Sequence, residues 1–182
     1  MKRKIHIMGA SGAGTTTIAK NVCETIGYSH FDSDHYFWIR TEPPFTTTRP
    51  QEDRQRMIIK DLMSSERWIL SGSMVGWEEA PMITAFFELV VFVYVPADIR
   101  MGRLREREYI RYGENILPAG KMYEASKSFL EWAAEYDTGT QIGRNLQKHN
   151  HWLNTAVHCQ ILRITNISLD ESVGAVIKAI EN

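Results

Sequence analysis

Residues 9–16 read Gly9-Ala10-Ser11-Gly12-Ala13-Gly14-Thr15-Thr16. Just before them, Ile5, Ile7 and Met8 form a short apolar run closed by Gly9, which is how a buried parallel strand ends. After them, Ile18, Ala19, Val22 and Ile26 recur at helical spacing up to a stop at Gly27. A strand, a glycine turn and a helix in that order are the context of the phosphate-binding pattern G-x-x-x-x-G-K-[ST], with Thr15 standing where lysine is expected. Glycines let such a loop curl until successive N–H groups point inward, and they keep side chains away from phosphate oxygens. The helix that follows adds about half a positive charge at its N-terminus, aimed at the same anion. Amides survive a lysine-to-threonine exchange, but the cation that would touch the terminal phosphates is lost. That charge must come from elsewhere in the chain.

Outward from the loop, residues 28–31 form a short second strand, and Asp32-Ser33-Asp34 follows at its carboxyl end, where ligands sit in open parallel sheets. Two residues apart on an extended segment, Asp32 and Asp34 project to one side and offer two acceptors beside the loop. An Asx turn with a helix cap is the plainer reading of the same three residues. The segment 41–50 holds three prolines and three consecutive threonines and reads as an irregular surface loop; Pro50 then opens a helix running to about Ser65. Trp68, Ile69 and Leu70 form a third strand ending in Ser71-Gly72-Ser73. The apolar stretch 86–95 gives a fourth, buried strand, its regular part beginning at Leu89 and stopping before Pro96. An arginine-rich helix to about Tyr112, a break over 113–120 and a polar helical region over 121–153 come next. Residues 159–164 form the last strand, and Leu169, Val173, Val176, Ile177 and Ile180 line a final helix capped by Ser168 or Asp170. This alternation predicts an α/β fold, a parallel sheet with helices on both faces joined by right-handed crossovers.

Composition sets the outer bounds. A chain of 182 residues accommodates one domain with room for an inserted lid. A net charge of −1, from 21 basic and 22 acidic residues, excludes bulk coating of nucleic acid, so any anion site is local. Two cysteines, Cys23 and Cys159, without framework or metal-like spacing, fit a reducing compartment. The longest apolar stretch falls well short of the roughly 20 residues that span a bilayer, and no apolar segment of signal-peptide length precedes Gly9. A cytoplasmic location is expected.

The charge missing at Thr15 has candidate donors. Arg103, Arg107 and Arg111 recur every four residues on one face of the arginine-rich helix, with Arg100 and Arg105 nearby. Like charges at that spacing repel by a few tenths of a kcal/mol each, and an anion between them reverses the sign. A merely solvated basic face is the competing account. Arg144, in the polar region before the last strand, is a further candidate. Tyr36, Phe37, Trp38 and Trp77 fall on loops at the carboxyl side of the sheet, where they either wall a pocket or belong to the core. His149 and His151 lack a third ligand at useful spacing and read as surface residues of a polar helix.

On these motifs the chain resembles the P-loop nucleotide and small-metabolite kinases, the group of adenylate, shikimate and gluconate kinases. Within it the chain is most similar to adenylate-kinase-like bacterial proteins that carry a Gly-Thr-Thr-Thr loop, here residues 14–17. The resemblance implies a three-layer fold with a five-stranded parallel sheet in order 2-3-1-4-5 and a helical lid at about 103–150, all within one domain of residues 1–182. It implies ATP and Mg2+ as cofactors, and transfer of a γ-phosphoryl group to a nucleoside monophosphate or small hydroxylated metabolite. Gly9, Ala10, Ser11, Gly12, Ala13, Gly14, Thr15, Thr16 and Thr17 would hold the nucleotide. Thr16 would ligate magnesium and Asp32 a magnesium-bound water. Asp34 would orient or deprotonate the acceptor, Arg103 and Arg107 would close over the transferring phosphate, and Trp38, Ser73 and Arg111 would meet the acceptor with Asp34. Ser71-Gly72-Ser73 lacks the acidic residue of a Walker B strand, which favours the metabolite-kinase pattern over motor-type ATPases. A non-catalytic nucleotide-binding regulatory protein on the same fold is the alternative left open by Thr15. Nothing in the sequence fixes the oligomeric state.

Overall fold

A computed structural model describes residues 1–77, 81–139 and 143–182. Five parallel strands, β1 (Lys4–Gly9), β2 (Ser29–Asp32), β3 (Trp68–Ser71), β4 (Leu89–Tyr94) and β5 (Gln160–Thr165), form one sheet in the order β2-β3-β1-β4-β5. Parallel neighbours need long crossovers. These are helices: α1 (Thr15–Ile26), α2 (Ser33–Phe37), α3 (Gln51–Met63), α4 (Pro81–Thr84), α5 (Ala97–Tyr112), α6 (Tyr123–Ala134), α7 (Leu146–Thr155) and α8 (Leu169–Glu181), with a 3-10 turn at Gly113–Ile116.

Side-chain alternation along the strands explains the layers. Ile5 and Ile7 of β1, Ile69 of β3 and Val91 and Val93 of β4 face one way and pack against Val22 of α1 and Ile180 of α8. Met8, Leu70, Val90 and Phe92 face the other way and meet Ile58 and Leu62 of α3 and Leu153 of α7. Both faces of the central strands are therefore covered, as continuous apolar runs require. A smaller cluster of Met101, Leu104 and Ala133 joins α5 to α6.

The order found is the one that the resemblance implied, and it places β1 in the middle. The chain leaves β1 toward β2 on one side while β4 and β5 lie on the other, so the carboxyl end of β1 opens where ligands bind in such sheets. Local signals set most element ends. Gly27 stops α1 in the left-handed conformation, its N–H on Cys23 O, and Ser168 forms a capping box with Glu171 at α8. Three expectations need correction. Residues 86–88 precede β4 rather than extending it, because the chain turns there through bonds from Phe86 and Phe87 to Ile83 O and Thr84 O. The polar region 121–153 is two helices, α6 and α7, with a turn after α6 closed by Thr138 and Gly139 on Glu135 O; residues 140–142 lie outside the described residues. Asp32-Ser33-Asp34 is not extended throughout, because α2 begins at Ser33.

Candidate active site

The loop between β1 and α1 is shaped by its protein neighbours as well as by its own turns. A Cβ on Gly9 would stand 2.5 Å from Val93 O of β4, and one on Gly12 2.9 Å from Arg100 O of α5. These two glycines let β4 and α5 approach the loop backbone, a demand that acts whether or not phosphate is bound. Gly14 differs: its φ is +88° and the nearest atom to a Cβ would be Arg103 Nη1 at 3.9 Å, so its demand is conformational. As N-cap of α1 it contributes no side-chain acceptor to the first-turn amides, and no acidic residue lies in that turn. Thr15 turns its methyl toward Gly9, and Thr17 lies exposed on α1.

Two arginines from distant segments arrive at the loop. Arg103 Nη1 donates to Gly12 O at 3.3 Å, and Arg144 Nη2 donates to Ser11 Oγ at 3.1 Å. Arg107 and Arg111 follow Arg103 along α5, Arg107 over the Phe129 ring at 5.5 Å and Arg111 over the Phe45 ring at 4.4 Å. Arg111 also lies 3.5 Å from Glu108 Oε1. Burial, then the charge of Arg111, lowers the Arg107 pKa. Arg100 serves the fold instead. Fully buried, it binds Val95 O, Ala133 O and Asp137 Oδ2, fixing α5 to the end of α6.

Asp32 is the hub of the acidic side. Its Oδ1 accepts the Asp34 N–H at 3.0 Å, capping α2, while Oδ2 accepts Thr16 Oγ1 at 2.8 Å and Ser71 Oγ at 3.0 Å. The cap that the sequence offered is present, and the same carboxylate keeps its other oxygen for Thr16 and Ser71. Asp34 is an exposed residue in the first turn of α2, yet enough protein surrounds its carboxyl to desolvate it. That desolvation raises its carboxyl pKa; Arg144 pulls it down, Asp32 pushes it up, and Arg107 and Arg111 pull it down again. Thr16, Asp32 and Asp34 thus offer hydroxyl and carboxylate oxygens, the donors magnesium takes when phosphates complete its shell. Among the described residues no group of three or more His, Cys, Asp or Glu forms a metal cage, and magnesium does not require one.

Residues 5–128 match the protein family described as AAA domain. The chain belongs to that AAA domain family. Over 178 residues the AAA-domain chain is 41% identical to "Uncharacterized protein YqaC" of Bacillus subtilis (strain 168), covering 97% of each. It is 24% identical over 144 residues to a shikimate kinase of Neisseria meningitidis serogroup C (strain 053442), covering 73% of this chain and 85% of that one. A solved shikimate kinase from Bacteroides thetaiotaomicron shares the fold, with a TM-score of 0.55 at 18% identity and 99% of both chains covered. The AAA-domain chain is a P-loop protein related to the shikimate kinases.

Other residues that the sequence singled out in the AAA-domain chain fall elsewhere. Ser73, expected at the acceptor, is buried; its Oγ accepts Val75 N–H at 3.2 Å and bonds His149 Nε2 at 2.9 Å. His149 is not a surface residue: it is fully buried, with Nδ1 2.7 Å from Tyr136 Oη, and burial lowers its pKa to about 3. Its helix packs this face against the sheet, which a polar sequence pattern conceals. His151 is exposed as expected. The aromatic set divides: Tyr36 and Trp77 belong to the core, whereas Trp38 is half-buried and edge-on to Phe45 at 6.0 Å. His30 belongs to no motif, and Ser71 is read only as part of the turn Ser71-Gly72-Ser73; nothing in the sequence joins either of them to Asp32.

Proposed function

We propose that the chain is an ATP-dependent phosphotransferase that moves a γ-phosphoryl group to a nucleoside monophosphate or a small hydroxylated metabolite. The observation that carries this reading is the arrival of Arg103 and Arg144 at Gly12 and Ser11, from 91 and 133 residues away in sequence. Amides of residues 9–17 hold the polyphosphate, and the guanidinium groups supply the cation that Thr15 does not. A cavity of about 250 Å3 beside the loop, lined by Gly14, Thr17, Val95, Arg103, Asn166 and Ile167 among others, receives the base.

Thr16 and Asp32 would hold magnesium, Thr16 as a ligand and Asp32 on a water of the ion, and magnesium there would supply charge to stabilise the phosphates. Asp34 faces the acceptor hydroxyl, and its raised pKa suits it to accept that proton as well as to orient it. Arg103 and Arg107 close over the transferring group. Trp38 and Arg111 line the acceptor side. A lid within the helical region of about 103–150 closes to exclude water, inside a single domain of residues 1–182. No described helix is long and apolar enough to cross a membrane. The proposed enzyme works in the cytoplasm.

The experiment is ATP consumption with and without AMP, other monophosphates and a panel of hydroxylated metabolites. Acceptor-dependent ADP formation, lost in Asp34→Asn, is expected. Tight nucleotide binding with no transfer to any acceptor would overturn it in favour of a regulatory nucleotide-binding protein, the alternative that Thr15 leaves open.

A further inference from the structure

The proton inventory around Asp32 Oδ2 has one consistent solution. Ser71 Oγ carries one hydrogen and lies near three acceptors: Asp32 Oδ2 at 3.0 Å, Phe31 O at 3.4 Å and His30 Nε2 at 2.9 Å. The carboxylate is the charged acceptor and takes it, since charge-assisted bonds are the stronger ones. His30 Nε2 must then donate to Ser71 Oγ, which fixes the imidazole in its Nε2–H form. On the other side Thr16 Oγ1 also donates to Asp32 Oδ2, at 2.8 Å. The carboxylate cannot swing away to another partner, because Oδ1 holds the Asp34 amide at 3.0 Å.

We infer that His30 and Ser71 are positioning residues for the cation. The directed chain from His30 Nε2–H to Ser71 Oγ–H to Asp32 holds the carboxylate that fixes the Thr16 hydroxyl rotor. With its hydrogen committed to Asp32, Thr16 Oγ1 presents its lone pairs to whatever cation the loop's phosphates bring. Ser71 reaches this role by register: it pairs with Asp32 across β2 and β3, so its side chain stands beside that carboxylate at the carboxyl end of the sheet. The inference rests on the proposed placement of the cation at Thr16 and Asp32.

Two measurements test it. Imidazole 15N shifts at pH 8 should show His30 as the Nε2–H tautomer in the wild type, and the Nδ1–H tautomer would overturn the inference. Mn2+ affinity, read by electron paramagnetic resonance in saturating ADP, should weaken about tenfold in Ser71→Ala and in His30→Leu, as supporting-shell losses do. His30→Gln, whose amide can still donate, should recover most of that affinity. Matched thermal unfolding curves keep a folding defect from passing for a metal effect. If Asp32→Asn weakens Mn2+ while Ser71→Ala and His30→Leu do not, this inference fails and the placement of the cation stands. If Asp32→Asn leaves Mn2+ unchanged, the placement fails and takes the inference with it.

Discussion

Arg144 Nη2 donates to the Ser11 hydroxyl at 3.1 Å, joining residues 133 apart in sequence at the tip of the loop between β1 and α1. Arg103 meets the neighbouring Gly12 carbonyl from α5. One guanidinium comes from a helix and the other from the segment before α7, so positive charge reaches the loop from two separate supports. On the proposed function, these two supply the charge that one lysine within the loop would otherwise have carried.

Lysine restored at position 15 should therefore add little. Thr15 directs its methyl at Gly9, and the loop already has two guanidinium partners. Thr15→Lys is expected to change ATP turnover by less than about tenfold, or less than about 1.4 kcal/mol of barrier. Steady-state kinetics of the two proteins side by side checks this; a gain of several orders of magnitude would mean that the arginines do not replace the lysine.

The glycines of the loop should separate by mechanism. Gly12→Ala faces both φ +81° and a backbone oxygen 2.9 Å from the new methyl, so it should destabilise the fold by about 1–3 kcal/mol. Gly14→Ala meets no such contact and should cost only about 1 kcal/mol of backbone conformation while weakening nucleotide binding more than folding. Thermal unfolding together with nucleotide titration distinguishes them.

Removing the buried guanidinium of Arg100 should unfold rather than inactivate. Its partner Asp137 keeps 25% side-chain exposure, but Arg100 has none, and the pair ties α5 to the end of α6. Arg100→Ala is expected to cost about 3–5 kcal/mol, the range for breaking one side of a buried pair. Urea unfolding of the purified variant measures it.

Acid should destabilise the protein well above the carboxylate range. His149 is held neutral, its pKa lowered from 6.5 to about 3, and His6 likewise to about 4, in each case first by burial. The unfolded chain takes up these protons before the native one does. Their contribution is therefore complete above pH 6.5 and is lost as pH falls toward the folded values, by up to about 1.4 kcal/mol per histidine per pH unit. Urea midpoints at pH 7.5 and pH 5 should differ accordingly; equal midpoints would contradict the burial argument.

What the sequence disclosed was what is local. The run Ile5–Ile7–Met8, the glycines after it and the i, i+4 arginines of α5 are all readable over a few residues, and the sheet order followed from the resemblance they supported. Long-range packing was not readable. Arg144 follows a turn whose direction no motif encodes, and His149 looks polar until the sheet places Phe92 and Ser73 around it. Asp-Ser-Asp reads either as an extended segment or as a helix cap, and only the structure shows that α2 begins at Ser33 with Asp32 as its cap. Ser71 and His30 gain their meaning only from the register of β2 against β3.

The central claim is that amides of residues 9–16 and guanidinium groups from α5 and the segment before α7 hold one polyphosphate together. Calorimetric ATP titration of the double variant Arg103→Ala/Arg144→Ala against wild type tests it most directly. Each lost charge-assisted bond is worth about 1.5–3 kcal/mol and two are removed, so affinity should fall at least about a hundredfold with the fold intact. Unchanged ATP affinity in the folded double variant would contradict the account.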